Sequence, residues 1–170
     1  LSIPLPQSIL VLKAHDLYRQ GKTMDEVAAW LEENKSRSQA FFTVDDLTYL
    51  RRGGRISAVA ATVGTMLDLT PIITEGKKGK LVSKDKVRGR KQVLRTLAEL
   101  AAQNIDDPAE AEMYVLHADA PEDADRLVQL LREKIPGLGN ISIRYVGPVI
   151  GAHCGPGTVA VCFFGKERPY

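Results

Sequence analysis

From Arg90 to its end, the chain switches repeatedly between two hydrophobic periods, and that alternation narrows the fold more than anything else in it. Over Arg90 to Gln103, Val93, Leu94, Leu97, Leu100 and Ala101 recur at the three-and-four spacing of a helix that buries one stripe. Met113 to Ala118 is an apolar run of strand length. Pro121 opens a further helix with Ala124, Leu127, Val128 and Leu131 facing inward, and Pro136-Gly137 ends it. Ile141, Ile143 and Tyr145 alternate as in a strand, and Gly157 to Phe164 closes the series as an apolar strand. Elements of both kinds in alternation bury their apolar faces by laying helices over a sheet. The fold expected is therefore α/β, a layered domain with a mixed sheet flanked by helices.

The first half is shorter in period but uses the same parts. Ile9 to Gln20 reads as a helix closed by Gly21. Thr23 with Glu26 is a capping box, and Met24, Val27, Ala28 and Leu31 carry the helix behind it to about Lys35. Ala40 to Val44 is a short strand. Asp45-Asp46 caps a brief helix through Leu50 that stops at Gly53-Gly54. Ser57 caps a helix of small residues, Ala58 to Leu67. Leu69 to Thr74 and Lys80 to Val87 read as strands around the turn at Glu75 to Gly79. Residues 1–8 hold two prolines and are expected to be an irregular connector, leaving 9–170 as the domain.

A chain of 170 residues, 44% hydrophobic and 26% charged, has the size and balance of one domain with a real core. No run reaches the roughly 18 apolar residues of a membrane span, and the first 20 residues have no secretory pattern. Cys154 and Cys162 form no Cys-x-x-Cys unit, so a reducing cytoplasm is the compartment expected. The net charge of +2 excludes a strongly basic nucleic-acid coat. Its distribution says more. Lys77 to Arg95 holds nine Lys or Arg against Asp85 alone, whereas Glu99 to Glu133 holds ten acids against two arginines. Opposed fields of this kind fit a docking surface for an acidic partner, and equally a pair of solvated faces.

The common enzyme motifs fail on context. Gly155-Pro-Gly157-Thr-Val-Ala160 matches the dinucleotide pattern G-x-G-x-x-A, but a strand and not a helix follows it. There is no Walker loop and no Gly-x-Ser-x-Gly elbow. His15, His117 and His153 show no metal-ligand spacing. His153 and Cys154 are adjacent, and on an extended chain neighbours point to opposite sides, so they make a poor base and nucleophile.

Three segments carry more information. In Leu50-Arg-Arg-Gly-Gly-Arg-Ile-Ser57, two glycines free the backbone and set Arg55 near a helix start, where a guanidinium attracts an anion such as a carboxylate; a helix end with a structural arginine is the plain alternative. Lys86-Val-Arg88-Gly-Arg90-Lys91 sets four cations between a strand and a helix, on the surface, able to grip phosphates, an acidic partner or only water. It lacks interleaved aromatics, so nucleic acid is not expected. Gly147 to Thr158 packs four glycines and two prolines into twelve residues, reads as a fixed loop around His153, and either meets a ligand or merely connects.

Phe42-Thr-Val-Asp-Asp-Leu-Thr-Tyr-Leu-Arg-Arg-Gly-Gly-Arg-Ile-Ser57, Pro71-Ile72, Lys86 to Lys91 and Val149-Ile-Gly-Ala-His-Cys-Gly-Pro-Gly-Thr158 resemble, in that order, the C-terminal domain of DegV family proteins. The resemblance covers about Ile9 to Phe164. It implies a bacterial fatty-acid-binding protein, a carrier rather than an enzyme, that holds one long-chain fatty acid between two domains and needs no cofactor or metal. In some members it implies the lipid-presenting subunit of fatty acid kinase, which carries acyl phosphate onward. Carried over by motif, Arg55 and His153 hold the head group, and Gly151, Gly155, Gly157 and Thr158 form the ligand loop. Arg88, Arg90 and Lys91 face the catalytic subunit of that kinase. The small residues Ala58, Ala61 and Gly64 are expected to line the acyl tail.

Three departures accompany the resemblance. The family's N-terminal domain, with its Ser/Thr loops, has no counterpart in this sequence; Cys154 stands where a threonine is usual; and residues 1–8 do not resemble an inter-domain chain. A half of this kind is expected to bind lipid weakly or not at all, and to self-associate through an exposed apolar face. The rival reading is a protein–protein interaction module that docks an acidic partner through Lys77 to Arg95.

Overall fold

The computed structural model describes residues 4–55, 69–76 and 79–168. Thirteen residues between Arg55 and Leu69 lie outside this set, and with them Ser57 and the helix expected over Ala58 to Leu67.

Helix α1 (Pro4–Arg19) and helix α2 (Met24–Asn34) lead through a 3₁₀ turn (Lys35–Arg37) into β1 (Ser38–Thr43). Helix α3 (Leu47–Arg52) follows, then β2 (Leu69–Glu75) and β3 (Leu81–Arg88). Helix α4 (Arg90–Asn104), β4 (Glu112–Ala118), α5 (Pro121–Lys134), β5 (Asn140–Tyr145), α6 (Pro148–Cys154) and β6 (Thr158–Phe164) complete the chain. Six strands form one sheet in the order β3-β2-β1-β6-β4-β5. β4 and β5 are parallel, joined through α5, and every other pairing is antiparallel. The layered α/β domain with a mixed sheet is therefore what the chain forms.

The two faces of the sheet differ. On one, Phe41, Ile72, Val115, Val159, Val161 and Phe163 pack under α4 and α5, whose Leu94, Leu97, Leu127 and Leu131 are buried against them. Each such leucine contributes roughly 1.5–3 kcal/mol by leaving water, so this half is the anchor of the fold. On the other, Ala40, Phe42, Ile73, Ala160 and Cys162 pack with Ile9 of α1, Leu50 of α3 and Cys154 of α6. The smaller side chains of this second layer leave room between the sheet and its helices.

Local chemistry explains most boundaries. Thr23 and Glu26 form both halves of the capping box at α2, with Thr23 N–H donating to Glu26 Oε2 at 2.8 Å. Asp46 caps α3 by accepting from Thr48 N–H at 2.7 Å. The edge strand β3 exposes Lys84, Asp85 and Lys86, charges that discourage pairing with another sheet.

Two segments differ from expectation. Residues 4–8 are the first turns of α1 and not an irregular connector. Proline is tolerated in a first turn because its missing N–H has no helical partner there anyway. The glycine-rich stretch before β6 contains α6: Pro148 opens it behind Gly147, and Gly155, at φ +77°, stops it. A proline-start and glycine-stop pair reads as a loop by composition yet punctuates a short helix by mechanism.

Candidate functional site

The space over the second face is a cavity of about 890 Å³, within the range of small-molecule sites, roughly 300–1,000 Å³. Its floor is the sheet. Phe42 on β1 pairs with Ala160 on β6, Ala160 with Leu116 on β4, and Leu116 with Arg144 on β5, so one cross-strand row runs from the centre to the edge. All four line the cavity, as do Ala40 and Cys162 in the next row. Leu5 and Pro6 of α1, Leu50 of α3, Leu81 of β3 and Ile150 and Cys154 of α6 form the walls. Lining residues thus come from both edge strands, and a six-strand sheet spans about 24 Å at roughly 4.8 Å per strand.

Polar groups gather at the rim. Exposed Arg55, Lys80, Arg144 and Tyr145 and half-buried His153 form it, Thr158 being a buried lining residue, and no Asp or Glu is among the lining residues described. Three cations without a lining carboxylate favour an anionic group at the mouth of an apolar chamber.

The packing of α3 on α6 brings Arg55 and His153 to one rim. The Arg55 guanidinium donates through Nη1 to the Gly53 carbonyl at 2.5 Å. The His153 ring lies against Gly53, its Nδ1 buried and without a hydrogen-bond partner. Of the glycine-rich segment, only Gly147 and Thr158 line the cavity with the α6 side chains. Gly151 is an internal residue of α6, its N–H bonded to the Gly147 carbonyl and its own carbonyl to the Gly155 N–H. Gly155 gives its space to the ring of Tyr49, and Gly157 to Asp45, both at φ +77°. These glycines shape the wall rather than touch the chamber. Thr158 Oγ1 is already engaged with the carbonyls of Cys154 and Gly155, at 3.1 and 2.9 Å. Ala58, Ala61 and Gly64 lie outside the described residues.

His153 and Cys154 sit on a helix, not an extended chain, so the premise for separating them changes while the outcome for Cys154 does not. Burial pushes its thiol above the ordinary cysteine range, and burial, with Glu75 nearby, does so more strongly for Cys162. Both are neutral thiols and poor nucleophiles in this setting.

The basic segment divides. Arg88 and Lys91 are exposed. Arg90 is not a free surface cation: Nε donates to Asp123 Oδ2 at 2.7 Å and Nη2 to the Gly157 carbonyl. Its guanidinium bridges the starts of α4 and α5 to the turn before β6, a use of several donors in one plane that a lysine could not match. Lys80, Arg144 and Tyr145 are cavity residues that sequence reasoning missed. The alternation of Ile141, Ile143 and Tyr145 already placed Arg144 on the face opposite Ile143, but which face holds a chamber is a tertiary property.

The family profile described as "Uncharacterised protein, DegV family" matches residues 1–166. A DegV domain-containing protein of Clostridium perfringens, CPE0026, is 42% identical over 164 residues, 96% of this chain and 56% of its own length. The crystal structure of the fatty acid binding DegV family protein SAG1342 from Streptococcus agalactiae superposes with a TM-score of 0.82 at 30% identity, covering 95% of this chain and 56% of that one. That of DegV, a fatty acid binding protein from Bacillus subtilis, gives 0.76 at 33% identity, covering 95% and 57%. The chain spans about half the length of the relatives it matches.

Proposed function

The chain belongs to the DegV family, and on that premise we propose that it binds a fatty acid, with the acyl tail over the sheet and the carboxylate at the rim formed by Arg55 and His153. The observation that carries this reading is the chamber of about 890 Å³, mostly apolar on its floor and lined, among the described residues, by cations but no acid. Burying each methylene contributes about 0.8 kcal/mol, so a long tail has a gross term near 10 kcal/mol, against roughly 1.5–3 kcal/mol for a charged hydrogen bond at the head. The tail drives affinity, and the rim decides which end points where. The role is that of a carrier in the cytoplasm, where the two free cysteines of the cavity, both pushed by burial toward the neutral form, stay reduced.

Native mass spectrometry of the purified chain, followed by extraction and lipid identification, tests this directly. Uptake of palmitate on titration, weak for a chain of about half its relatives' length, is the result expected, and a co-purified fatty acid at one per chain would show that this chain or its dimer completes the chamber. A chain that arrives empty and takes up no palmitate rejects the reading for this chain. The finer role, presenting the acyl carboxylate to the catalytic subunit of a fatty acid kinase, assigns the exposed Arg88 and Lys91 to docking. Reversing both to Glu should spare lipid uptake and abolish the partner complex; an intact complex rejects that role. The interaction-module reading shares the surface and makes any bound lipid incidental.

A further inference from the structure

We propose that Gly53 is the positioning residue of this rim: it seats the His153 ring, anchors the Arg55 guanidinium, and so presents His153 to the cavity as an Nε2–H donor. The inference rests on the fatty-acid reading of the site and adds what sets its geometry. Gly53 closes α3 at φ −77° and ψ −1°, an ordinary right-handed conformation open to any residue. The backbone therefore does not demand glycine here. The neighbour does. A Cβ at this position would lie 3.0 Å from His153 Cε1, 3.1 Å from Cγ and closer still to Nδ1. The same residue uses its carbonyl to accept from Arg55 Nη1 and its N–H to close the helix on the Tyr49 carbonyl. One small residue thus fixes two side chains far apart in sequence.

The position of the proton follows. His153 Nδ1 is buried against Gly53 with no hydrogen-bond partner among the described residues. An N–H placed there would be a buried donor left unpaired and pressed on Gly53, whereas a bare nitrogen takes less room against the glycine. The neutral ring then carries its proton on Nε2, the nitrogen left to face the chamber that His153 lines. An Nε2–H donor beside an arginine suits a carboxylate oxygen, which only accepts.

The test is Gly53→Ala in the whole chain, read in two ways. Imidazole ¹⁵N NMR should show His153 of the parent as the Nε2–H tautomer. His117 is the internal control, because its Nδ1 accepts from Ala120 N–H at 3.3 Å and is unchanged by the variant. In the variant the His153 pattern should shift while that of His117 stays. Palmitate affinity should fall about tenfold or more, the worth of a head-group hydrogen bond, and the same change in a His153→Ala background should cost less than about threefold. A parent protonated on Nδ1 overturns the inference, as does undiminished affinity, or an equal loss in both backgrounds. A parent that binds no palmitate defeats the fatty-acid reading, while its spectrum still decides the role of Gly53. That parent spectrum also decides it if Gly53→Ala fails to fold.

Discussion

Replacing Arg90 by methionine should destabilise the domain by about 2–3 kcal/mol, a loss not expected of a solvated docking cation. Methionine keeps an aliphatic stem of similar length and removes only the guanidinium. Two contacts are lost: the 2.7 Å ion pair with Asp123 and the bond to the Gly157 carbonyl. The side chains of the pair are 26% and 31% exposed, which places it between a surface bridge, worth about 0–1 kcal/mol, and a charged hydrogen bond, worth about 1.5–3. The buried Nη1, which has no partner, works against the native state and holds the estimate below the sum of both contacts. For a domain of this size, 1 kcal/mol shifts Tm by about 2–4 °C, so Arg90→Met should melt about 4–12 °C lower. Arg88→Met, on an exposed residue, should stay within about 0.5 kcal/mol of the parent. Thermal and urea denaturation of both, with Asp123→Asn to complete a double-mutant cycle, give the numbers. Equal melting of Arg90→Met and Arg88→Met would refute the bridging role and return Arg90 to the docking surface.

Ala160 sits mid-row on the cavity floor between Phe42 and Leu116, so Ala160→Trp should fill the chamber, lower palmitate affinity at least a hundredfold and leave short acids less affected; unchanged palmitate binding would remove the tail from this face. Gly155→Ala combines a φ of +77° with the Tyr49 ring and should cost more than the 1–2 kcal/mol of left-handed strain alone, about 3 kcal/mol by denaturation, loosening α3 from α6. The backbone bond from Thr23, then Lys22, holds the Glu26 carboxyl below its ordinary range. Its folded pKa lies under its unfolded one, so its contribution is whole above the unfolded value near 4.5 and is lost as pH falls through the lowered value. The Tm gap between the parent and Glu26→Gln should therefore be constant from pH 6 to 8 and narrow in acid; a gap that widens in acid would contradict the capping box as its source.

Local signals were legible wherever a side chain acts on its own backbone. Thr23, Asp46 and Pro121 mark helix starts through bonds or ring constraints made within three residues. The stripe of α4 and the alternation of β5 required no knowledge of a partner. Pro148 and Gly155 show the limit. Their composition reads as a loop, and only the seven residues Pro148–Cys154, packed on α3, show a helix. Arg90 shows another: a cation among cations looks solvated until α5 delivers Asp123 to it.

The sequence by itself determined the class of fold, most element boundaries, the family and two of the rim residues, because periodicity, caps and motifs are written in consecutive positions. Tertiary structure decided which sheet face is hollow, since that depends on the small side chains of Ala40, Ala160 and Cys162 falling in adjacent rows of strands paired across the chain. It decided that Arg144 and Lys80 join the rim from opposite edges of the sheet. It also made Gly53 matter, because a missing Cβ has no meaning until a ring from another helix is laid against it.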